Sequence, residues 1–178
     1  QILWINLVTD GAPALALGVE PAEPGTMRRP PRAPSESIFA RGLWQQTVWV
    51  GLWMAAVVLA VQAFAIGQDW PWQTMVFTIL CFAQLGHVIA IRSEQTSLFT
   101  LGLGSNRPLL GAVLLTAALQ LAVVYAPALN ALFRTTPLPP KDLAVCVGAA
   151  LVILAVVEVE KLVRRQGLAG KASLAETP

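Results

Sequence analysis

Charged side chains are scarce: Lys, Arg, Asp and Glu together make up only 12% of the 178 residues, and there is a single His. Soluble domains carry about 25% charged residues, so an ordinary water-facing surface is excluded. Cysteine is nearly absent as well. Cys81 and Cys146 each sit in an apolar run with no second thiol or His at ligand spacing, which leaves both as small core residues. No Walker-type Gly loop, Ser-His-Asp arrangement or metal-spaced Cys/His cluster occurs, so this chain holds no hydrolytic chemistry of its own. The first residue is Gln rather than Met, on the threshold of an apolar helix that has neither a basic n-region nor a cleavage site. We read the chain as a piece of a longer polypeptide whose remainder lies on the N-terminal side.

What is present is apolar: 56% hydrophobic residues and a mean hydropathy of +0.64. A bilayer core of roughly 30 Å needs about 17 to 25 apolar residues per helix. Runs of that length lie at about 1–19, 43–66, 72–91, 108–126 and 143–163. The fold expected is therefore an all-α membrane protein, a bundle of five transmembrane helices. Pro127 is placed to end the fourth run, with "ALNALF" beyond it as an interfacial turn or a continuation. Residues 20–41 are rich in Pro and charge and read as an extended loop. "GQDWP" at 67–71 is a short turn, with Trp70 and Trp72 at aromatic-belt depth. Arg28, Arg29, Arg32 and Arg41, then Arg92 and Arg107, then Lys161, Arg164, Arg165 and Lys171 fall on one side of the membrane, and only Arg134 and Lys141 on the other. The positive-inside rule makes the richer side cytosolic, with loops 20–41 and 92–107 and the tail 164–178. "MRRPPR" reads as positive-inside charge rather than as a nucleic-acid patch.

Polar residues inside the spans carry the functional signal. In "NLVTDGAP", Asn6, Thr9 and Asp10 stand at i, i+3 and i+4, which on a helix puts an amide, a hydroxyl and a carboxylate within one turn. Such an oxygen-only set suits a hard cation. Pro13 offers no N–H to the carbonyl of Thr9, and Gly11 lets the backbone leave helical geometry. The first helix is therefore expected to be unwound near Asp10–Pro13, with freed carbonyls available to an ion. The same residues also suit an exposed turn that ends the helix at Val8. In the third run Gln84 and His87 share a face, and Gln84 can add a neutral carbonyl to the site, whereas both also suit interhelical hydrogen bonds. Gln45, Gln46, Gln62 and Gln120 read as interhelical hydrogen-bonding residues. Glu158 and Glu160, near Lys161, Arg164 and Arg165, read as interfacial ion pairs.

"QILWINLVTDGAPALALGVEP" followed by "MRRPPR" resembles the sixth transmembrane helix and following cytosolic loop of type II P-type cation-transporting ATPases, the calcium pumps most closely. The resemblance implies helices six to ten of ten, with Asn6, Thr9 and Asp10 on the family's cation-binding positions. With "SEQTSL" at Ser93–Leu98 as anchor, Gln84 falls where two-site reticulum calcium pumps carry Glu; plasma-membrane calcium pumps carry Gln there and bind one calcium, so a single site is implied. Sodium/potassium pumps carry Asp where Asn6 stands. The implied function is ATP-driven Ca²⁺ export, with Ca²⁺ as cargo. ATP and Mg²⁺ would be bound, and an Asp-Lys-Thr-Gly aspartate phosphorylated, in cytosolic domains that this chain lacks, as it lacks the ligands of helix five. The implied partners are the lipid bilayer and the N-terminal remainder of the same pump. The implied location is a bacterial plasma membrane, multi-pass, with a cytosolic C-terminus. The alternatives are a non-catalytic membrane scaffold or subunit, and the same pump carrying Na⁺, H⁺ or Mn²⁺.

Overall fold

The computed structural model describes residues 1–19, 43–92 and 106–175, the side chains of Leu43 and of residues 164–175 excepted. The loop 20–41, the anchor Ser93–Leu98 and most of the 92–107 loop lie outside the described residues. Among those described the structure is helical and turn, without a strand. We label the helices α1 (Ile2–Leu17), α2 (Leu43–Gly67), α3 (Trp72–Ala90), α4 (Arg107–Tyr125), α5 (Pro127–Phe133) and α6 (Pro140–Ala175).

Four segments are long and apolar enough to cross a membrane: Trp44–Gly67, Trp72–Ala90, Arg107–Tyr125 and Pro140–Val163; α1 is shorter. They fall where the apolar runs put them. Each boundary has a local cause. Between α2 and α3 the chain reverses at Asp69, one of the few residue types that enters the left-handed region without glycine (φ 54°). The amide of Trp70 closes this turn on the Ala65 carbonyl at 2.9 Å. Asn106 caps α4 by accepting from the Leu109 amide at 2.9 Å, with Pro in the first turn. At the other end Ala126 is extended, as a residue before proline prefers. The chain then restarts as the short α5, so Pro127 does end the span and "ALNALF" is a helical turn. The carbonyls that α4 leaves open are taken up locally, since Asn130 donates to Val123 and Val124 at 2.8 Å and the Thr135 hydroxyl donates to Val123 at 2.7 Å.

Helix α3 is the centre of the bundle: it packs against α2, α4, α6 and the first half of α1. Met75, Ile79, Cys81 and Ala83 on it are fully enclosed or nearly so. In contrast α2 shows Trp44, Trp49, Leu52, Leu59 and Phe64 to the outside, the composition of a lipid-facing helix. Trp70 stacks edge-on with Phe64, their ring centroids 5.4 Å apart, and Lys141 lies 4.9 Å from its ring. Both cysteines are buried and free.

One expectation is corrected in detail. Helix α1 is not unwound near Asp10–Pro13: Gly11–Leu17 is α-helical through Pro13, and the departure comes one turn earlier, where Ile5–Asp10 forms a π-helix. Widening the helix just ahead of a proline is one of the adjustments by which a membrane helix rehouses freed carbonyls without breaking. Glu158 and Lys161 form the expected ion pair, at 3.0 Å, with side chains only 11% and 4% exposed, so the pair is enclosed between helices.

Candidate cation site

The polar turn of α1 is seated by residues on α3 and α4. Trp4 and Ile5 pack on buried Phe77, Cys81 and Val123, and Trp4 meets Phe133 of α5 edge-on at 4.9 Å. The indole N–H of Trp4 donates to Gln120 Oε1 at 3.0 Å, and Gln120 Nε2 donates to Thr78 Oγ1 at 3.4 Å. One buried amide thus ties three helices together. This is the interhelical role read from sequence for Gln120, and the network is worth roughly 1–2 kcal/mol at about 0.6 per bond with a known spread above that. Gln120→Leu is expected to lower the unfolding free energy of the detergent-solubilised protein by about that much, because Trp4 and Thr78 then lose their partner. An unchanged thermal unfolding midpoint would show that α1 is held by its apolar contacts alone.

Of the residues expected to form the site, Thr9 points into the bundle, is 0% exposed, and donates from its hydroxyl to Cys81 Sγ at 3.7 Å. Asp10 is half-buried and Asn6 is exposed. Gln84 stands one turn along α3 from Cys81, so the contact between Thr9 and Cys81 brings the Asp10 turn beside the turn that carries Gln84. The Gln84 carboxamide oxygen is buried and has no hydrogen-bond partner. His87, one turn further, also holds its Nδ1 buried and unpaired.

Two residues missed in the sequence reading complete the setting. The Thr116 hydroxyl, on α4, lies 3.5 Å from the carbonyl of Val8, inside the π-helical segment. Asn106 Nδ2 donates to the Ala16 carbonyl at 3.2 Å. The available signal was the spacing of Thr116 and Gln120, two polar residues at i and i+4 in an otherwise apolar helix. Among the described residues no group of three or more His, Cys, Asp and Glu side chains comes together. The oxygen-bearing groups on these neighbouring turns are the Asp10 carboxylate, the Thr9 hydroxyl, the buried Gln84 carboxamide and the backbone of the widened turn. Chemically this can share in binding a hard cation, whose usual complement is six to eight oxygens.

Comparison with known proteins gives consistent matches. A family model described as "Cation transporting ATPase, C-terminus" matches residues 1–163. A calcium-transporting ATPase of Bacillus subtilis (strain 168) is 40% identical over 158 residues, covering 85% of this chain and 17% of its own length. Calcium-transporting ATPase type 2C member 2 of Mus musculus is 36% identical over 170 residues, covering 91% of this chain. Calcium-transporting ATPase type 2C member 1 of Homo sapiens is 34% identical over 172 residues, covering 93% of this chain. The chain spans 18% of the length of each of these last two relatives.

Proposed function

Because the chain belongs to the family of cation-transporting ATPases, matching its C-terminal region, we propose that it is the membrane portion of an ATP-driven pump that exports Ca²⁺. In this reading Asp10 is the principal charged ligand, Asn6 and Thr9 give neutral oxygens, and Gln84 contributes its carboxamide. The observation that supports it most is the buried Gln84 carboxamide oxygen left without a partner, one helical turn along α3 from the Cys81 that Thr9 contacts. An acceptor desolvated without compensation costs free energy, and a cation shared with the neighbouring turn would supply the missing contact.

One carboxylate does not neutralise a divalent ion, so further ligands come from parts of the pump that this chain does not span. Those parts also bind ATP and Mg²⁺ and carry the phosphorylated aspartate. The excess of Lys and Arg on one side supports a cytosolic C-terminus, and the likeness to the Bacillus subtilis relative supports a bacterial plasma membrane. The lipid bilayer and the remainder of the pump are then the partners. The test is the ion dependence of ATP-driven phosphorylation of the intact pump. We expect Ca²⁺ to support it and Na⁺ not to; phosphorylation that needs Na⁺, H⁺ or Mn²⁺ and ignores Ca²⁺ would overturn the assignment of the cargo.

A further inference from the structure

Helices α3 and α6 run parallel and are pinned to each other at three levels. Cys146 Sγ lies 3.7 Å from the Met75 carbonyl near the start of α3. In the middle, Gly86 faces Leu154: a Cβ at Gly86 would lie 3.8 Å from the Leu154 Cβ, at ordinary contact distance. At the end of α3 the Lys161 ammonium donates to the carbonyl of Ala90, the last residue of the helix, and to Glu158 Oε1 at 3.0 Å. Only this last level carries charge. The final carbonyls of a helix have no partner within it and form the negative end of its dipole, so an ammonium placed there both satisfies and fixes that end.

Burying an ammonium and a carboxylate is not the cheapest way to hold two helices together. Well-packed apolar residues of similar volume are commonly as stable, and the best-attested use of a buried pair is to fix register. Register matters on α3. No hydrogen bond fixes the Gln84 carboxamide oxygen, so its position depends on the register of α3, and a slip of one residue would carry it about 1.5 Å along and about 100° around the helix. We propose that Lys161 is a positioning residue for the cation site: from the end of α3 it sets where Gln84 stands relative to the Asp10 turn. This rests on the reading of Asp10 and Gln84 as ligands.

The test uses the intact pump carrying the double substitution Glu158→Leu and Lys161→Met, which removes both members of the pair together, with Lys161→Arg as the conservative variant. The readouts are the Ca²⁺ concentration for half-maximal phosphorylation by ATP, the maximal phosphorylation level and the thermal midpoint. Changes along such packed networks shift coupled sites by about two- to thirtyfold. We expect the double variant to need that much more Ca²⁺ with maximal level and midpoint unchanged, and Lys161→Arg to stay within about twofold of wild type. A purely structural role would lower the level or the midpoint and leave the Ca²⁺ requirement in place. If the double variant does not accumulate, Lys161→Gln, which keeps a donor for the Ala90 carbonyl, is expected to show a smaller shift, about threefold. An unchanged Ca²⁺ requirement in the folded variants overturns the proposal. Asp10→Asn, measured alongside, separates the two failures: if it abolishes Ca²⁺ dependence while the Lys161 variants show no shift, only the positioning role falls, and if it leaves Ca²⁺ dependence intact, the cation site falls with it.

Discussion

Asp10→Asn in the intact pump is expected to raise the Ca²⁺ concentration needed for phosphorylation by ATP by about 100-fold or more, which at about 1.4 kcal/mol per tenfold is about 3 kcal/mol of binding. Among Asn6, Thr9, Asp10 and Gln84 it is the only residue that brings a formal charge, and a carboxamide keeps the shape while removing it. The group is half-buried, where its attraction for a divalent ion is screened less than it would be in water. The turn that carries it is held by other residues: Trp4 by Gln120, Thr9 by Cys81, and the Val8 carbonyl by Thr116. Expression and thermal stability should therefore stay near wild type. Loss of phosphorylation together with loss of folded protein would move Asp10 from the site to the scaffold.

Pro13→Ala should separate affinity from stability in the opposite direction. A proline inside a helix costs about 3 kcal/mol relative to alanine, so the variant is expected to be at least as stable as the parent. It also removes the reason for the π-helical turn, because alanine restores an N–H for the carbonyl of Thr9 and relieves the crowding there. With Ile5–Asp10 drawn back to α-helical geometry, the backbone carbonyls and the Asp10 carboxylate turn away from their present positions. We expect Ca²⁺ affinity to fall by about tenfold, near 1.4 kcal/mol, while the thermal midpoint holds or rises. A more stable variant with unchanged affinity would show that the widened turn is only an accommodation of the proline.

The spans were legible because lipid imposes one rule, a long apolar run per crossing, and α2, α3, α4 and the first part of α6 obey it. Pro127 and Asp69 mark their boundaries by local backbone chemistry that needs no tertiary context. The π-helix was not legible: residue spacing says that Asn6, Thr9 and Asp10 are near one another, but not whether the helix answers Pro13 by opening or by widening. Instead of presenting all three alike, the structure buries Thr9, half-buries Asp10 and leaves Asn6 exposed. Gln120 was recognisable as a polar residue needing an interhelical partner, whereas Thr116 was marked only by its i, i+4 spacing from Gln120, which does not reveal that its partner is a backbone carbonyl of another helix. Sequence places Lys161 near the end of a span but does not reveal that its side chain is enclosed. It is enclosed because α3 ends beside it, a relation between two helices 71 residues apart.

Equilibrium binding of radioactive Ca²⁺ to the purified intact pump, wild type and Asp10→Asn, tests the site most directly because it needs neither ATP nor turnover. The expected result is a single bound Ca²⁺ in the wild type that is lost in Asp10→Asn while the protein remains folded. Ca²⁺ binding of undiminished affinity and stoichiometry in folded Asp10→Asn would contradict it.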